Sequence, residues 1–143
     1  MDASHIVTSV ATLAAAYALA LPIGWNRERA ERSAGLRTFP LVALAACGFI
    51  LAAEAGAATS PDALARIIQG VALGVGFIGG GAILKTGETV HGAATAASLW
   101  ATAAIGSAAA LGAWEVAVAV ALMTFLTLKA LPPLEPEESK SDT

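Results

Sequence analysis

The sequence has 143 residues, of which 57% are hydrophobic and 13% charged, with a formal net charge of −3. An ordinary soluble domain is roughly 25% charged, so this chain lacks the polar surface that would cover a soluble core of its size. The absence of a broad basic face excludes nucleic acid as a partner. The single cysteine, Cys47, excludes an intrachain disulfide and a thiolate metal cluster, and it reads as a small buried apolar side chain.

A membrane-spanning helix needs about 20 mainly apolar residues. Five stretches near that length follow one another: Ile6–Gly24, Phe39–Ala58, Leu64–Leu84, Ala93–Leu111 and Trp114–Leu131. The expected fold is therefore all-α, a polytopic bundle of about five transmembrane helices over residues 1–131. The first stretch lacks a basic leader and is as long as a full span, so it reads as a retained helix and not as a signal peptide. Gly112 and Ala113 must turn the chain between the last two stretches, the alternative being one long bent helix. From Pro132 the tail PPLEPEESKSDT is proline-led, acidic and without apolar periodicity, which predicts a disordered cytoplasmic tail over 132–143.

Between the first two spans, WNRERAERSAGLR carries Arg27, Arg29, Arg32 and Arg37. Cytoplasmic loops close to spans are enriched in Lys and Arg, so this loop belongs inside. The N-terminus, the loop with Ser60, Pro61 and Asp62, and the Gly112 turn then lie outside, while KTGETVH and the tail lie inside. Lys85 and Lys129 fall at cytoplasmic ends, where their stems can snorkel, and Trp25 and Trp114 fall near opposite interfaces.

The third span contains GVALGVGFIGGGAILKTG, Gly70 to Gly87, whose GVGFIG has the glycine spacing of a dinucleotide-binding loop. That loop works in a tight turn between a strand and a helix. Here the glycines sit inside one apolar segment, and Leu84 stands where a phosphate-cradling loop needs glycine, so neither nucleotide reading applies. Gly70 with Gly74, and Gly76 with Gly80, are small-xxx-small pairs that let helix backbones approach in lipid. Together with Gly79 and Gly81 they make this span the expected packing axis of the bundle, with the alanine-rich fourth span as its partner. The sharper reading is a helix that bends around a solute.

Polar side chains in spans are expensive and mark candidate sites. Glu54 and Arg66 form a candidate intramembrane pair toward the outer side, either a functional site or a structural bridge, with Asp62–Arg66 as a local alternative. On the cytoplasmic side Asn26, Arg27, Glu28, Arg37, Thr38, Glu88, His91 and Thr95 form the candidate functional cluster. Arg37 and Thr38 open a helix, where free N–H groups favour an anion: a lipid headgroup, a phosphate-bearing solute, or Glu28. Thr95, Ser98 and Thr102 share one face of the fourth span and read either as hydrogen-bond donors to neighbouring helices or as a polar solute lining. Trp100 lies too deep for an interface and is expected to pack on another helix. His91 has no second ligand at helical spacing, so no metal site is expected. The tetrads Gly35-Leu36-Arg37-Thr38 and Gly92-Ala93-Ala94-Thr95 stand 92 − 35 = 57 residues apart, an offset that also pairs Gly24 with Gly81. This spelling fits a duplicated hairpin or chance among small residues.

GLRTFPLVAL from Gly35, GVGFIGGGAIL from Gly74 and VHGAATAASLWATAAIG from Val90 resemble the three signature stretches of the MgtC/SapB family of bacterial membrane proteins. The resemblance covers roughly Gly24 to Gly106 and implies a multi-pass inner-membrane protein with a periplasmic N-terminus and a cytoplasmic C-terminus. It also implies a link to growth at low magnesium, stress adaptation and survival in macrophages, modulation of the proton ATP synthase or acid resistance. Where the family shows Gly-x-Glu-Arg-Glu, this chain has Gly24-Trp25-Asn26-Arg27-Glu28, so a role needing a carboxylate at Asn26 is in doubt. Magnesium-regulated virulence members carry an additional cytoplasmic domain, and a role transmitted through it is not inherited here.

Two function classes compete. One is a regulator of ion homeostasis that acts through the lipid bilayer, a membrane protein partner or a homo-oligomer. The other is a small transporter or channel with a path among spans two to four. A cofactor is not expected, and neither is an enzyme, because His5, His91 and Cys47 pair no nucleophile with a base.

Overall fold

The computed structural model describes residues 3–30, 34–56, 60–86 and 89–131. Five helices follow one another: α1 (Ala3–Ala30), α2 (Thr38–Ala55), α3 (Pro61–Gly81), α4 (Ala93–Ala110) and α5 (Trp114–Ala130). A two-stranded antiparallel hairpin, β1 (Leu84–Thr86) and β2 (Thr89–His91), joins α3 to α4 with Lys85 opposite Val90. The first four helices are long and apolar enough to cross a membrane. The fifth has 17 residues, about 25 Å of rise against a hydrocarbon core of about 30 Å. The all-α membrane architecture is the expected one, and KTGETVH, read as a loop, contributes the strand pair. Arg32, Ala58, Glu88 and the tail from Pro132 lie outside the described residues.

Element ends differ from the hydropathy boundaries for local reasons. The first helix does not stop at Gly24 but runs to Ala30, so Trp25, Asn26, Arg27, Glu28 and Arg29 are helical and not loop residues. At the start of α3, Ser60 is the N-cap and accepts a hydrogen bond from the Ala63 N–H at 3.2 Å, and Pro61 and Asp62 form the first turn. A serine cap, a proline that has no N–H to lose and an acid near the positive end of the helix dipole all favour starting there. Hydropathy does not see polar residues that begin a helix.

The connection between α4 and α5 is a turn, so the alternative of a single bent helix is excluded. Ala113 N–H donates to Ala108 O at 2.9 Å and Gly112 N–H to Ala109 O at 3.1 Å, with Gly112 at φ 72°. This is the glycine-capped helix end in which two orphan carbonyls find donors. A Cβ on Gly112 would meet open space, so Gly112→Ala should cost only the left-handed strain, about 1–2 kcal/mol. Gly112→Asn should lose less, since asparagine tolerates this region. Unfolding of the purified protein in mixed detergent micelles with increasing denaturing detergent measures both.

The central helix is α4, not the third span as its glycine spacing suggested. Half of α4 is buried, from Thr95 and Ser98 through Leu99, Thr102 and Ile105 to Ala109. Its small side chains let α1, α2, α3 and α5 all pack on it. The α2–α4 contact is tight at Gly106, where a Cβ would run into the Ala43 carbonyl oxygen of α2. The third helix is peripheral and buries only Val75 and Gly79. It meets α4 where the Gly79 Cα faces Ala96, and where Trp100 Nε1 donates to Ala72 O at 3.3 Å. Trp100 thus reaches a neighbouring helix as expected, although its ring is largely exposed to the surroundings.

Candidate functional site

The arginine-bearing end of the bundle is built by the extension of α1. Ala16, Ala20, Ile23, Gly24 and Arg27 are its buried residues, and their three- and four-residue spacing makes one stripe. Arg27 therefore continues the apolar stripe into a position only 6% exposed. Its Nε and Nη2 both donate to Asn26 Oδ1, at 3.2 and 2.9 Å. The guanidinium is thus fixed by the neutral amide of Asn26 and not by a carboxylate.

Glu28, one residue on, does not pair with either arginine. Its Oε2 accepts the Leu36 N–H at 3.0 Å, and its carboxyl group occupies the space beside Gly35 that a side chain would need. Gly35 O in turn accepts the N–H groups of Thr38 and Phe39 at 3.0 and 3.2 Å. A Cβ on Gly24 would lie 3.2 Å from Gly35 O and 3.3 Å from Leu36 Cα. Gly24, Glu28 and Gly35 therefore form one crossing that joins the end of α1 to the turn opening α2. The bridge expected between Arg27 or Arg37 and Glu28 is absent because the carboxylate already serves that backbone amide.

Arg37 is exposed at the cap position of α2, which has no side-chain cap hydrogen bond. Among the described residues it has no acidic partner. Arg29, by contrast, lies over the Trp25 ring, 4.8 Å from its centre.

The third motif folds against the end of α3. Gly92 has φ 85°, and a Cβ there would strike Ala82 O, so glycine is required twice over. His91 is exposed on β2, and Thr95 is fully buried in the first turn of α4. Ser98 Oγ donates to Thr95 O at 3.0 Å and Thr102 Oγ1 to Ser98 O at 2.7 Å. The hydrogen bonds expected from these two hydroxyls to neighbouring helices are instead made within α4, a common way to satisfy a buried hydroxyl in a helix.

At the other end, Glu54 and Arg66 are exposed near the ends of α2 and α3. No ion pair joins them, or Asp62 to Arg66, among the described residues. Of the six glycines assigned to packing on the third span, only Gly79 meets a neighbour. Open space faces Gly70, Gly74, Gly76, Gly80 and Gly81. The close approaches belong to Gly24, Gly35, Gly92 and Gly106, which small-xxx-small spacing does not single out. The 57-residue offset does not repeat geometry either: Gly92 has positive φ and Gly35 does not, and Gly24 is packed while Gly81 is open.

Two cavities flank α3. The larger, about 770 Å³, runs between α2 and α3 and is apolar except at its Arg37 and Thr38 end. The smaller, about 330 Å³, lies between α3 and the α4–α5 pair near Trp100, Ser107 and Leu111.

The first motif is thus tied to the end of α1 and the third to the end of α3, and a family model described as the MgtC family matches residues 13–136. The chain belongs to the MgtC family. It is 41% identical over 125 residues to SrpB of Synechococcus elongatus, covering 79% of this chain and 69% of that protein. It is 41% identical over 114 residues to MgtC of Salmonella typhimurium, covering 80% of this chain and 48% of MgtC. It is 36% identical over 118 residues to YhiD of Escherichia coli strain K12, named as a candidate magnesium transporter, covering 78% of this chain and 55% of YhiD. The chain thus spans about half the length of MgtC and YhiD. No solved structure matches. Family membership and four membrane-length apolar helices make this a multi-pass bacterial membrane protein.

Proposed function

We propose that this MgtC-family protein regulates ion homeostasis, with magnesium the ion suggested by the name of YhiD, by acting on a membrane partner or on copies of itself. The observation that carries this reading is the apolar character of the bundle interior. Arg27, Thr95, Ser98 and Thr102 are the buried polar residues among those described, and both cavities beside α3 are apolar over most of their walls. Transporters place ionisable groups and unwound backbone at mid-depth, whereas Arg27 sits in the last turn of α1 and α3 is helical throughout Pro61–Gly81. A regulator of this kind needs no catalysis: Cys47 is buried in α2, while His5 and His91 lie exposed on α1 and β2.

The arginine-bearing end is cytoplasmic and the membrane is the inner one, by the positive-inside bias of Arg27, Arg29 and Arg37. Purified protein in proteoliposomes loaded with a magnesium-sensitive dye should show no uptake above empty vesicles. Reproducible uptake that Glu54→Gln or Arg66→Gln abolishes would replace the regulator by a transporter.

A further inference from the structure

We infer that the groove between α2 and α3 is a binding site for one acyl chain of an anionic phospholipid, with the lipid phosphate held at Arg37. The site stands apart from the choice between regulator and transporter.

Three features of the groove select this occupant. The first is shape. The cavity of about 770 Å³ follows α2 from Leu41 to Ala53, about 18 Å of helix rise at 1.5 Å per residue. One leaflet of the hydrocarbon core is about 15 Å deep, so a single lipid chain matches the groove lengthwise. The second is how the space is made. On α3 the wall includes Gly70 and Gly74, and a Cβ at either position would meet nothing within 4 Å. Their missing side chains leave room that no described residue fills. Leu41, Phe49 and Ile78 stand 56%, 64% and 47% exposed along its rim, so the groove opens sideways toward lipid.

The third feature is charge. The groove's walls are apolar along α2 until Thr38 and Arg37 close one end. Arg37 has no acidic partner among the described residues, because Glu28 accepts the Leu36 N–H instead. An arginine at the membrane surface attracts anionic headgroups and donates several N–H groups to a phosphate. A molecule with one anionic head and a long apolar tail complements both parts of the groove. A second helix would cover the apolar wall and leave the guanidinium without a counter-charge.

The test uses the full chain reconstituted in nanodiscs of equal parts phosphatidylglycerol and phosphatidylcholine, released into mild detergent, with retained lipids counted by native mass spectrometry. The wild-type protein should hold one phosphatidylglycerol per chain in preference to phosphatidylcholine. Arg37→Gln should keep a lipid but lose about five-fold in preference for phosphatidylglycerol, the effect of one basic residue at an anionic surface. Gly74→Leu fills the groove and should lose the lipid of either kind. Gly76→Leu, which also points into open space but does not line the groove, should retain it. Equal retention by Gly74→Leu and Gly76→Leu, or an unchanged preference in Arg37→Gln, would overturn the proposal. A dimer that disappears in Gly74→Leu while lipid retention is unaltered would give the groove to a second copy and overturn it equally.

Discussion

Gly106→Ala should be among the most damaging single-methyl additions in the protein, while Gly74→Ala should be harmless or stabilising. A Cβ at Gly106 collides with the Ala43 carbonyl and lies 2.9 Å from its carbon, both backbone atoms of α2. Backbone cannot rotate away as a side chain can, so the two central helices must separate, and every other contact in the α2–α4 interface loosens with them. Overpacking of a tight core costs about 1–3 kcal/mol, and in lipid the lost close packing is the main source of helix association. We expect a loss at the upper end of that range for Gly106→Ala, read as a lower midpoint in mixed-micelle unfolding and a several-fold fall in membrane protein level. Gly74→Ala meets open space and replaces the poorer helix former by the best one, a gain of up to about 1 kcal/mol. Equal midpoints for the two variants would mean that the α2–α4 crossing is not the tight joint of this bundle.

That contrast also shows which parts of the fold are legible in the sequence. Length and apolarity locate the helices, because in a bilayer every backbone polar group must be satisfied within the segment. The family motifs likewise mark the turns at which Gly35 meets the end of α1 and Gly92 meets the end of α3. Which glycine packs is not legible, since in α4 nearly every residue is small and any of several faces could meet a neighbour. The GxxxG spacing on α3 is the louder signal, yet it describes a face that this chain leaves uncovered. The burial of Arg27 was hidden for a different reason. Hydropathy ends a helix at the first charges, whereas the register Ala20, Gly24, Arg27, continued past Trp25, places the guanidinium on the buried stripe. Extending the periodicity through polar residues, and asking which charge then faces inward, would have separated Arg27 from its neighbours.

The arginines at this end should therefore divide into three behaviours in a low-magnesium growth assay paired with a measurement of membrane protein level. Arg27→Gln should lower the protein level and with it growth. It removes a buried guanidinium and leaves Asn26 Oδ1, which accepts two of its donors, without them; losing a partly buried, charge-assisted contact costs about 1.5–3 kcal/mol. Arg29→Gln gives up only an exposed contact with Trp25, about 0.5–1 kcal/mol, and should be nearly silent in both readouts. Arg37→Gln should leave the level unchanged, because no described residue depends on that side chain, and should still abolish growth, because Arg37 stands at the mouth of the α2–α3 groove without an acidic partner among the described residues. The same growth defect from Arg29→Gln and Arg37→Gln at equal protein level would show that this end acts through its total charge, as a topology signal or a diffuse lipid contact. Loss of protein with Arg37→Gln would instead give Arg37 a structural role, in the turn that Glu28 and Gly35 hold at the start of α2.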